Sequence, residues 1–414
     1  MKRITAIILT AAMLVGTAAL TACSKDENGN GQSSQQSKAS QVSKDASAEE
    51  SKEEVKDISA VEEKKELSAS DLNEINAFIE KYKGIPDFSS ESDVISAREI
   101  SKDKAITLIP DNSNYSFTSL VTEQFVSAAA SAGFKNVIAN ESNATASFYN
   151  DELEKSIEKS NIVVMYGDID KDPIAAEIEK TQANGIRVLS AGNVGKDQKD
   201  HYVDHTIPIN YQLAGKLLAD WTISANKGKV NALAINNSDS MLSSSVYKGF
   251  ADEFQKYVVS GYCSVLSGSS IEIDNGLSAK IKQAIDKDPN INYVVVLDDA
   301  MINDAVSGVD QSGKKIKIIS TGGSLAAFDA AQSDRIEMLV AQSYEWTAYA
   351  MVDYALRVLN GSALPQEQDV PVRVVTSKSI NEDLENNTYS NIEGFYEICF
   401  GANFVTGYSG LWNL

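Results

Sequence analysis

The sequence predicts an α/β protein built from two doubly wound parallel-sheet lobes, and three observations support this fold class. The chain has 414 residues, of which 43% are hydrophobic, so at about 150 residues per domain it can build more than one core. Short apolar runs alternate with helical patterns of roughly ten to fifteen residues, as in a parallel sheet covered on both faces. The strands are too many for one ordinary sheet, so we predict two lobes.

The N-terminus predicts export. The basic pair Lys2-Arg3 precedes an apolar stretch at 4–20, as in a secretory signal peptide. Residues 20–23 (LTAC) resemble the bacterial lipobox, in which residues 1–22 are removed and Cys23 carries a lipid. Two or more acyl chains anchor a protein stably, so we expect an extracytoplasmic protein held at the cell membrane through Cys23. An uncleaved anchor helix or a soluble secreted protein is the alternative.

Residues 23–67 are predicted to form a disordered acidic tether. Ser, Lys, Glu, Asp and Gln dominate this segment, and such a composition buries too little apolar surface to offset the entropy of ordering. Residues 68–101 are predicted to form an N-terminal helix and extension. The helix begins at Ser70 or Asp71, with Glu74 placed for a capping-box contact.

From residue 102 onward, strands and helices alternate regularly. The first strand is predicted at 105–110 and the helix after it at 119–132. Further strands are predicted at 136–139, 162–166, 187–190, 206–209, 230–235, 293–297, 316–320 and 338–341, and further helices at 172–184, 213–225, 244–257, 277–286 and 347–359. Because ligands of such sheets bind beyond the carboxyl ends of the strands, the loops there are the expected binding site.

Composition favours binding over catalysis. The chain has 37 basic and 58 acidic residues and a formal net charge of −21, which disfavours nucleic acid as a partner. Three cysteines and two histidines are too few for a multi-thiolate metal cluster, and we predict no cofactor and no metal. Once Cys23 is lipidated, Cys263 and Cys399 remain, and the sequence leaves a disulfide between them open.

One acidic run has the spacing of a calcium loop. Asp168, Asp170, Asp172 and Glu179 stand at its positions 1, 3, 5 and 12. Pro173 occupies the place where that loop needs glycine. The Asp-Pro pair is better interpreted as the start of a helix, because proline suits the first helical position.

Four segments carry a family resemblance. They are 106–117 (ITLIPDNSNYSF), 162–170 (IVVMYGDID) with 183–190 (ANGIRVLS), 210–215 (NYQLAG) with 247–250 (YKGF), and 294–301 (VVVLDDAM) with 318–323 (IISTGG) and 340–342 (VAQ). In this order, across residues 104–376, they resemble the type I periplasmic binding proteins, specifically the ribose- and galactose-binding receptors of ABC transporters. Residues past 376 resemble a longer subgroup of these receptors.

The resemblance implies two lobes joined by a three-crossing hinge and closing on a ligand. The implied crossings lie near 209–210, 342–343 and 369–371. The implied N-terminal lobe comprises 102–209 plus 343–370, and the C-terminal lobe comprises 210–342 plus 371–414.

The resemblance also implies ligand-binding residues. Asn114 falls on an asparagine that binds sugar hydroxyls and Phe117 on an aromatic that stacks on the sugar face, while Asp298 and Gln342 match polar positions in the second lobe and the hinge. Such side chains suit a sugar, which has an apolar face and a rim of hydroxyls. The remaining candidates, chosen by position, are Tyr115, Asn193, Asn210 and Trp346.

The sequence departs from the family's sugar binders at charged positions. Gly192 and Asn193 replace an Asp-Arg pair, Gly322 replaces an aspartate, and the arginine before the Gly-Phe pair is missing. Charged groups make the strongest hydrogen bonds to sugar hydroxyls. We therefore expect a less charged and larger pocket, and ribose or galactose as the ligand is left open.

The sequence thus predicts a monomeric, lipid-anchored substrate-binding receptor that delivers a sugar or polyol to the membrane subunits of an ABC permease. A ligand sensor for a chemoreceptor or a histidine kinase is the alternative within binding proteins. An extracytoplasmic α/β enzyme is less favoured, because no nucleophile elbow or catalytic histidine follows a predicted strand.

Overall fold

The computed structural model describes residues 55–61, 66–195, 200–365, 370–386 and 398–414. They belong to one folded unit, Ser51–Leu414. The predicted signal peptide, Cys23 and most of the predicted tether lie outside the described residues. Within those ranges, no helix is both long and apolar enough to span a bilayer.

The described strands form two sheets and are numbered in chain order. They are β1 (Ile58–Val61), β2 (Ala105–Pro110), β3 (Asn136–Ala139), β4 (Ile162–Tyr166), β5 (Arg187–Gly195), β6 (His205–Ile209), β7 (Lys229–Asn237), β8 (Ser260–Gly268), β9 (Tyr293–Val296), β10 (Lys317–Gly322), β11 (Met338–Gln342) and β12 (Val372–Val375).

The described helices are numbered in the same way. They are α1 (Ala69–Glu80), α2 (Ala97–Ser101), α3 (Ser116–Ser131), α4 (Ala146–Lys159), α5 (Ala175–Ala183), α6 (Tyr211–Asn226), α7 (Met241–Tyr257), α8 (Leu277–Lys287), α9 (Ile302–Ser312), α10 (Leu325–Gln332), α11 (Tyr344–Asn360), α12 (Ser377–Asn386) and α13 (Asn403–Leu411). Several begin at a Ser, Thr or Asn whose side chain accepts a hydrogen bond from the first turn, which fixes their N-termini. These caps are Ser68, Thr145, Asn210, Ser240, Ser324 and Ser343.

The first lobe is a five-stranded parallel sheet with the order β3-β2-β4-β5-β6. Its central strands, β2 and β4, are buried along their whole length. Helices α3 and α11 cover one face, and α4 and α5 cover the other. The continuous apolar runs in the sequence therefore reflect burial on two faces.

The second lobe is a seven-stranded sheet with the order β1-β8-β7-β9-β10-β11-β12. Its five inner strands are parallel and repeat the order of the first sheet, whereas β1 and β12 are antiparallel edges. Helices α6 and α7 cover one face, and α8, α9 and α10 cover the other. The predicted fold class, two doubly wound lobes, is confirmed.

Three crossings join the lobes near the predicted places. β6 ends at Ile209, and α6 of the second lobe begins at Tyr211. β11 ends at Gln342 and leads to α11, which packs against α3 of the first lobe. The chain then returns to β12 through residues 361–371, of which 366–369 lie outside the described residues.

The structure differs from the predicted tether at residues 58–61, which form β1. This strand pairs with β8 at the sheet edge, with Ile58 opposite Cys263. Two side-chain contacts reinforce the pairing: Val265 donates its backbone N–H to Asp57 at 2.7 Å, and the Tyr247 hydroxyl donates to the Lys56 carbonyl. The order of this segment thus comes from a sheet edge that needs a partner, not from its own apolar content.

The C-terminal helix differs from its predicted position in the second lobe, because α13 packs on α11 of the first lobe. Trp412, directly after α13, is fully buried. Its ring stacks on Tyr349 with centroids 5.5 Å apart, and its Nε1 donates to Asp353 Oδ1 at 2.9 Å. The aromatic face of α13 is therefore buried against the first lobe.

Cys263 and Cys399 are both buried and free. Cys263 lies in the α6–α7 core of the second lobe, whereas Cys399 lies in the core that also contains α11 and α13. The disulfide that the sequence left open is not formed.

Candidate ligand-binding site

In each sheet the strand order reverses between two neighbouring strands, and polar residues lie at the carboxyl ends of these strands. In the first lobe this reversal point lies between β2 and β4, which lead to Asp111 and Asp168. In the second lobe it lies between β7 and β9, which lead to Asn237 and Asp298. Ligands of doubly wound sheets bind at such points. The two points meet across the cleft, since Met241 of α7 donates its N–H to Asp168 Oδ2.

Asp111 organises the loops of the first lobe. Its Oδ1 accepts hydrogen bonds from the Asn112 backbone at 2.6 Å and from the Thr118 hydroxyl at 3.0 Å. Its Oδ2 accepts from the Asp168 backbone at 3.1 Å. Gly167 has φ +92°, and a Cβ there would lie 2.4 Å from the Asp111 carboxyl carbon, so this close approach needs glycine.

Two adjacent aspartates organise the second lobe. Asp298 accepts from the Ala300 backbone at 3.0 Å and from the Asn237 side chain at 2.8 Å. Asp299 accepts from the Ser324 backbone at 2.8 Å. Both aspartates therefore hold backbone turns at the carboxyl end of the sheet.

Burial and the charges of neighbouring carboxylates raise the pKa values of Asp111, Asp168 and Asp299. Burial raises the pKa of Asp111, and the charge of Asp298 adds to the shift. Burial raises the pKa of Asp168 to about 7; the Met241 N–H opposes the shift, and the charges of Asp111 and Asp298 add to it. Burial, with the charge of Asp298, raises the pKa of Asp299 to about 6. Asp168 and Asp299 therefore retain part of their protons near neutral pH.

A pocket that is partly open to solvent lies between the lobes at the hinge. Its lining comes from the first lobe, the second lobe and all three crossings. The lining residues are Phe117, Tyr166, Ile209, Asn210, Tyr211, Ala214, Gln342, Thr347, Val370, Pro371 and Val372. Any hinge motion changes the shape of this pocket directly.

Three of the ligand residues expected from sequence line this pocket: Phe117, Asn210 and Gln342. The Phe117 ring lies against the second lobe, because a Cβ on Gly323 would be 2.3 Å from its Cε2. Asn210 caps α6 through its Oδ1. Gln342 donates its Nε2 to the Thr321 hydroxyl at 3.3 Å.

Other expected ligand residues lie elsewhere. Asn114 is exposed, and its backbone N–H donates to Asn112 Oδ1 at 3.0 Å. Tyr115 is half-buried directly before α3. Neither lines the hinge pocket. Asn193 belongs to β5, but its side chain is outside the described part of the chain. Asp298 faces the carboxylate cluster, as above.

Trp346 packs beneath the C-terminal helix instead of lining the pocket. It is 3% exposed, and its ring stacks on Phe404 with centroids 4.9 Å apart. Phe88 completes the contact at 5.9 Å. Trp346, a ligand candidate from the sequence, is therefore part of the core beneath α13, and the neighbouring Thr347 lines the pocket.

Sequence reasoning missed five residues of the site: Asp111, Tyr166, Asp168, Tyr211 and Asp299. Asp111 and Asp168 follow β2 and β4 within two residues, so inspection of each strand end would have found them. Among the described residues, the lining of the hinge pocket contains no charged side chain, in keeping with the expectation of a less charged pocket, and the aspartates lie outside this lining.

The aspartates of the acidic run with calcium-loop spacing each take part in a hydrogen bond with a different partner. Asp168 binds Met241 across the cleft, Asp170 accepts from the Asp172 backbone at 3.1 Å, and Tyr202 donates its hydroxyl to Asp172. In the described ranges, no group of three or more His, Cys, Asp or Glu side chains is arranged to hold a metal.

Solved structures share this fold at low sequence identity. An ABC sugar transporter subunit from Rhodobacter sphaeroides is 14% identical, with a TM-score of 0.57 over 67% of this chain and 99% of that one. A solute-binding protein from Agrobacterium vitis with bound α-D-tagatopyranose is 18% identical, with a TM-score of 0.59 over 70% and 99%. Another from the same organism, with bound allitol, is 16% identical, with a TM-score of 0.58 over 68% and 98%.

A family model also matches the chain. A search among curated proteins finds no match. The family model described as a periplasmic binding protein domain matches residues 106–363, which is more than half of the chain and includes the parallel strands of both sheets, apart from the first residue of β2, and the first two crossings. The chain therefore belongs to the periplasmic binding protein family.

Proposed function

We propose that the protein is the extracytoplasmic solute-binding receptor of an ABC transporter, and that it traps a sugar or sugar-like polyol between its two lobes. The observation that carries this proposal is the hinge pocket, whose polar and aromatic lining comes from both lobes and all three crossings. A ligand that contacts both lobes at once favours the closed arrangement. Closure then reports occupancy to a membrane partner.

The chemistry of the pocket supports this ligand class. Phe117, Tyr166 and Tyr211 offer aromatic faces for the apolar face of a sugar ring. Asn210 and Gln342 carry amide groups that both donate to and accept from hydroxyls. The bound tagatopyranose and allitol of the Agrobacterium vitis proteins belong to the same class.

Thermal-shift screening of the purified protein, followed by calorimetric titration, tests the ligand class. The panel contains D-tagatose, allitol, D-allose, D-arabinose, nucleosides and amino acids. We expect a sugar or polyol to raise the melting temperature, since a ligand at 100 times its Kd adds about 2.7 kcal/mol of stability. Stabilisation by amino acids or nucleosides alone would contradict the sugar class, and no stabilisation by any solute would contradict the receptor.

A matched pair of variants tests the pocket. Gln342→Ala removes an amide from the lining, and we expect affinity for the identified ligand to fall about tenfold. Gln311→Ala removes an exposed glutamine at the end of α9 and should leave affinity within about twofold of wild type. Equal affinities for the two variants would place the ligand elsewhere.

The membrane anchor and the permease belong to the same proposal. With Cys23 lipidated, the protein fractionates with membranes, and Cys23→Ser should move it to the soluble fraction with an unchanged melting temperature. Uptake of the identified ligand by cells with and without the protein separates transport from sensing. Unchanged uptake together with an altered kinase response would favour the sensor.

A further inference from the structure

Four carboxylates meet where the lobes face each other. Asp111 and Asp168 are joined by a hydrogen bond from the Asp168 backbone, and Asp168 reaches across the cleft to Met241. Asp298 and Asp299 follow β9 on the opposite side. The charge of Asp298 adds to the upward pKa shifts of Asp111 and Asp168. The four carboxylates therefore come from both lobes, which are in contact through the Asp168–Met241 hydrogen bond.

The hydrogen-bond donors to this cluster are neutral. Within the described chain, the four carboxylates accept hydrogen bonds from backbone N–H groups and from Thr, Ser and Asn side chains. The nearest basic residue along the chain, Lys171, forms a buried ion pair with Asp200 at 2.8 Å. Neutral donors offset only part of the cost of burying like charges together, so the site lacks a positive group.

Two phenol hydroxyls beside the cluster also lack partners. Tyr166 is 5% and Tyr211 4% exposed, both line the hinge pocket, and neither hydroxyl forms a hydrogen bond to another described group. A Cβ on Gly192 would lie 3.3 Å from the Tyr211 hydroxyl and 3.3 Å from the Gly167 nitrogen. That hydroxyl therefore sits at the turn held by Asp111. Because both side chains line the pocket and neither hydroxyl is bonded to a described group, the two hydroxyls can bond a molecule that enters the pocket.

We propose that the ligand carries a positively charged amine, on a sugar or polyol framework, and that the amine binds among Asp111, Asp168, Asp298 and Asp299. This inference rests on the proposed function, because it narrows the ligand class of the same site. An ammonium group has three donors and no acceptor, which matches a cluster of acceptors. The ligand hydroxyls bind the free phenol groups, and the aromatic rings add cation–π attraction.

Sugars that differ in charge but share a ring test whether the site prefers a positively charged ligand. Calorimetric titration of the purified protein at pH 7 compares D-glucosamine with D-glucose and N-acetyl-D-glucosamine, and D-galactosamine with D-galactose and N-acetyl-D-galactosamine. Each set keeps the ring and changes only the group on C2, which is an ammonium, a neutral hydroxyl or a neutral acetamide. We expect at least one amine to bind about tenfold or more tightly than both of its neutral counterparts, as for hydrogen bonds to charged groups.

The outcomes separate this inference from the function on which it rests. If neutral sugars bind and the amines bind equally or more weakly, the positive charge is wrong and the sugar receptor stands. If no amine, sugar or polyol binds, the proposed function fails, and this inference fails with it.

A pair of variants tests the cluster itself. Asp298→Asn keeps the side-chain shape and removes one charge; the preference for the amine over its neutral counterpart should fall about tenfold. Asp170→Asn removes an exposed charge from the loop of Asp168 and should leave the preference unchanged. Melting curves confirm that both variants fold. If Asp298→Asn weakens the amine and the neutral sugar equally, the carboxylate recognises hydroxyls and the proposal is overturned.

Discussion

The two lobes share one strand order but differ at their sheet edges. The first sheet ends in the parallel strands β3 and β6, which belong to the regular alternation of strands and helices. The second sheet ends in the antiparallel strands β1 and β12, which come from segments outside that alternation. The shared order places a binding edge in each lobe, and the added strands cover edges that would otherwise invite pairing with another chain.

The terminal segments also connect the lobes. Helix α1 packs on α6 of the second lobe, and its exit contacts β12, where Val374 donates its N–H to Tyr82 at 2.7 Å. The chain then reaches the first lobe, where Ile95 donates its N–H to Leu411 at 2.7 Å. The difference between the lobes is therefore one of support: the first is braced by α13, and the second by α1 and β1.

The largest expected effect is on the free energy of unfolding, at the contact between the C-terminal helix α13 and the first lobe. Trp412→Ala removes a fully buried ring and its hydrogen bond to Asp353, and we expect the free energy of unfolding to fall by about 3–5 kcal/mol. Val405→Ala, at a partly exposed position on the same helix, is the control and should cost less than about 1 kcal/mol. Urea unfolding measures both. Equal stability of the two variants would show that α13 does not brace this lobe.

The second lobe should be sensitive where its helices cross. A Cβ on Gly215 of α6 would lie 1.9 Å from the Val246 carbonyl oxygen of α7, so Gly215→Ala forces the two helices apart. We expect a loss of about 1–3 kcal/mol, as for overpacked cores. Gly410→Ala has open space around its Cβ and an ordinary helical φ, and should be neutral or slightly stabilising. A neutral Gly215→Ala in thermal unfolding would contradict the close crossing.

The contact between the lobes should depend on pH. Burial raises the pKa of Asp168 to about 7 from its usual 3.8, so its folded state favours the protonated form. Its contribution to stability is present below pH 4 and is lost as the pH rises through 7. Asp168→Asn keeps an acceptor for Met241 and cannot ionise, so it should be more stable than wild type at pH 8, by on the order of 1 kcal/mol.

Unfolding at pH 4, 6 and 8 checks this sign. The difference between Asp168→Asn and wild type should grow with pH, whereas Asp170→Asn should show no such growth. A variant that is less stable than wild type at pH 8 would mean that the charged carboxylate, not the neutral acceptor, holds the lobes together.

The smallest expected effect is the change in ligand affinity after a substitution in the aromatic core under α13, compared with one in the pocket lining. Trp346→Phe alters packing against Phe404 but not the pocket lining, so ligand affinity should stay within about twofold. Phe117→Leu should lower affinity several-fold while leaving stability within about 1.5 kcal/mol, as for an apolar substitution that nearly conserves volume. Calorimetric titration measures the affinity and melting curves measure the stability of both variants. If Trp346→Phe lowered affinity and Phe117→Leu did not, Trp346 would belong to the binding site and Phe117 would not.

Most strands were predictable because they are buried on two faces. The predicted bounds of β2, β3 and β4 match the structure. Strand β8 was missed, because its sequence, SGYCSVLSG, is rich in serine and glycine and is only partly buried. Strand β1 was missed for a related reason, since its order depends on pairing with β8.

The sequence predicted a pocket residue correctly only where its position follows from the helix or strand that carries it. Phe117, Asn210 and Gln342 lie at the ends of helices or strands, so their place in the pocket follows from the strand order. Trp346 lies at the start of α11 in the same way, yet α13 covers it. A pattern along one helix cannot show which distant segment packs on it.

The sequence by itself determined the alternation of strands and helices, the two parallel sheets and the loops in which a ligand can bind, because hydrophobic periodicity and capping are local properties. Only the tertiary structure decided which termini brace which lobe and which carboxylates face one another. The physical reason is that burial and charge repulsion depend on distances between segments that lie far apart along the chain.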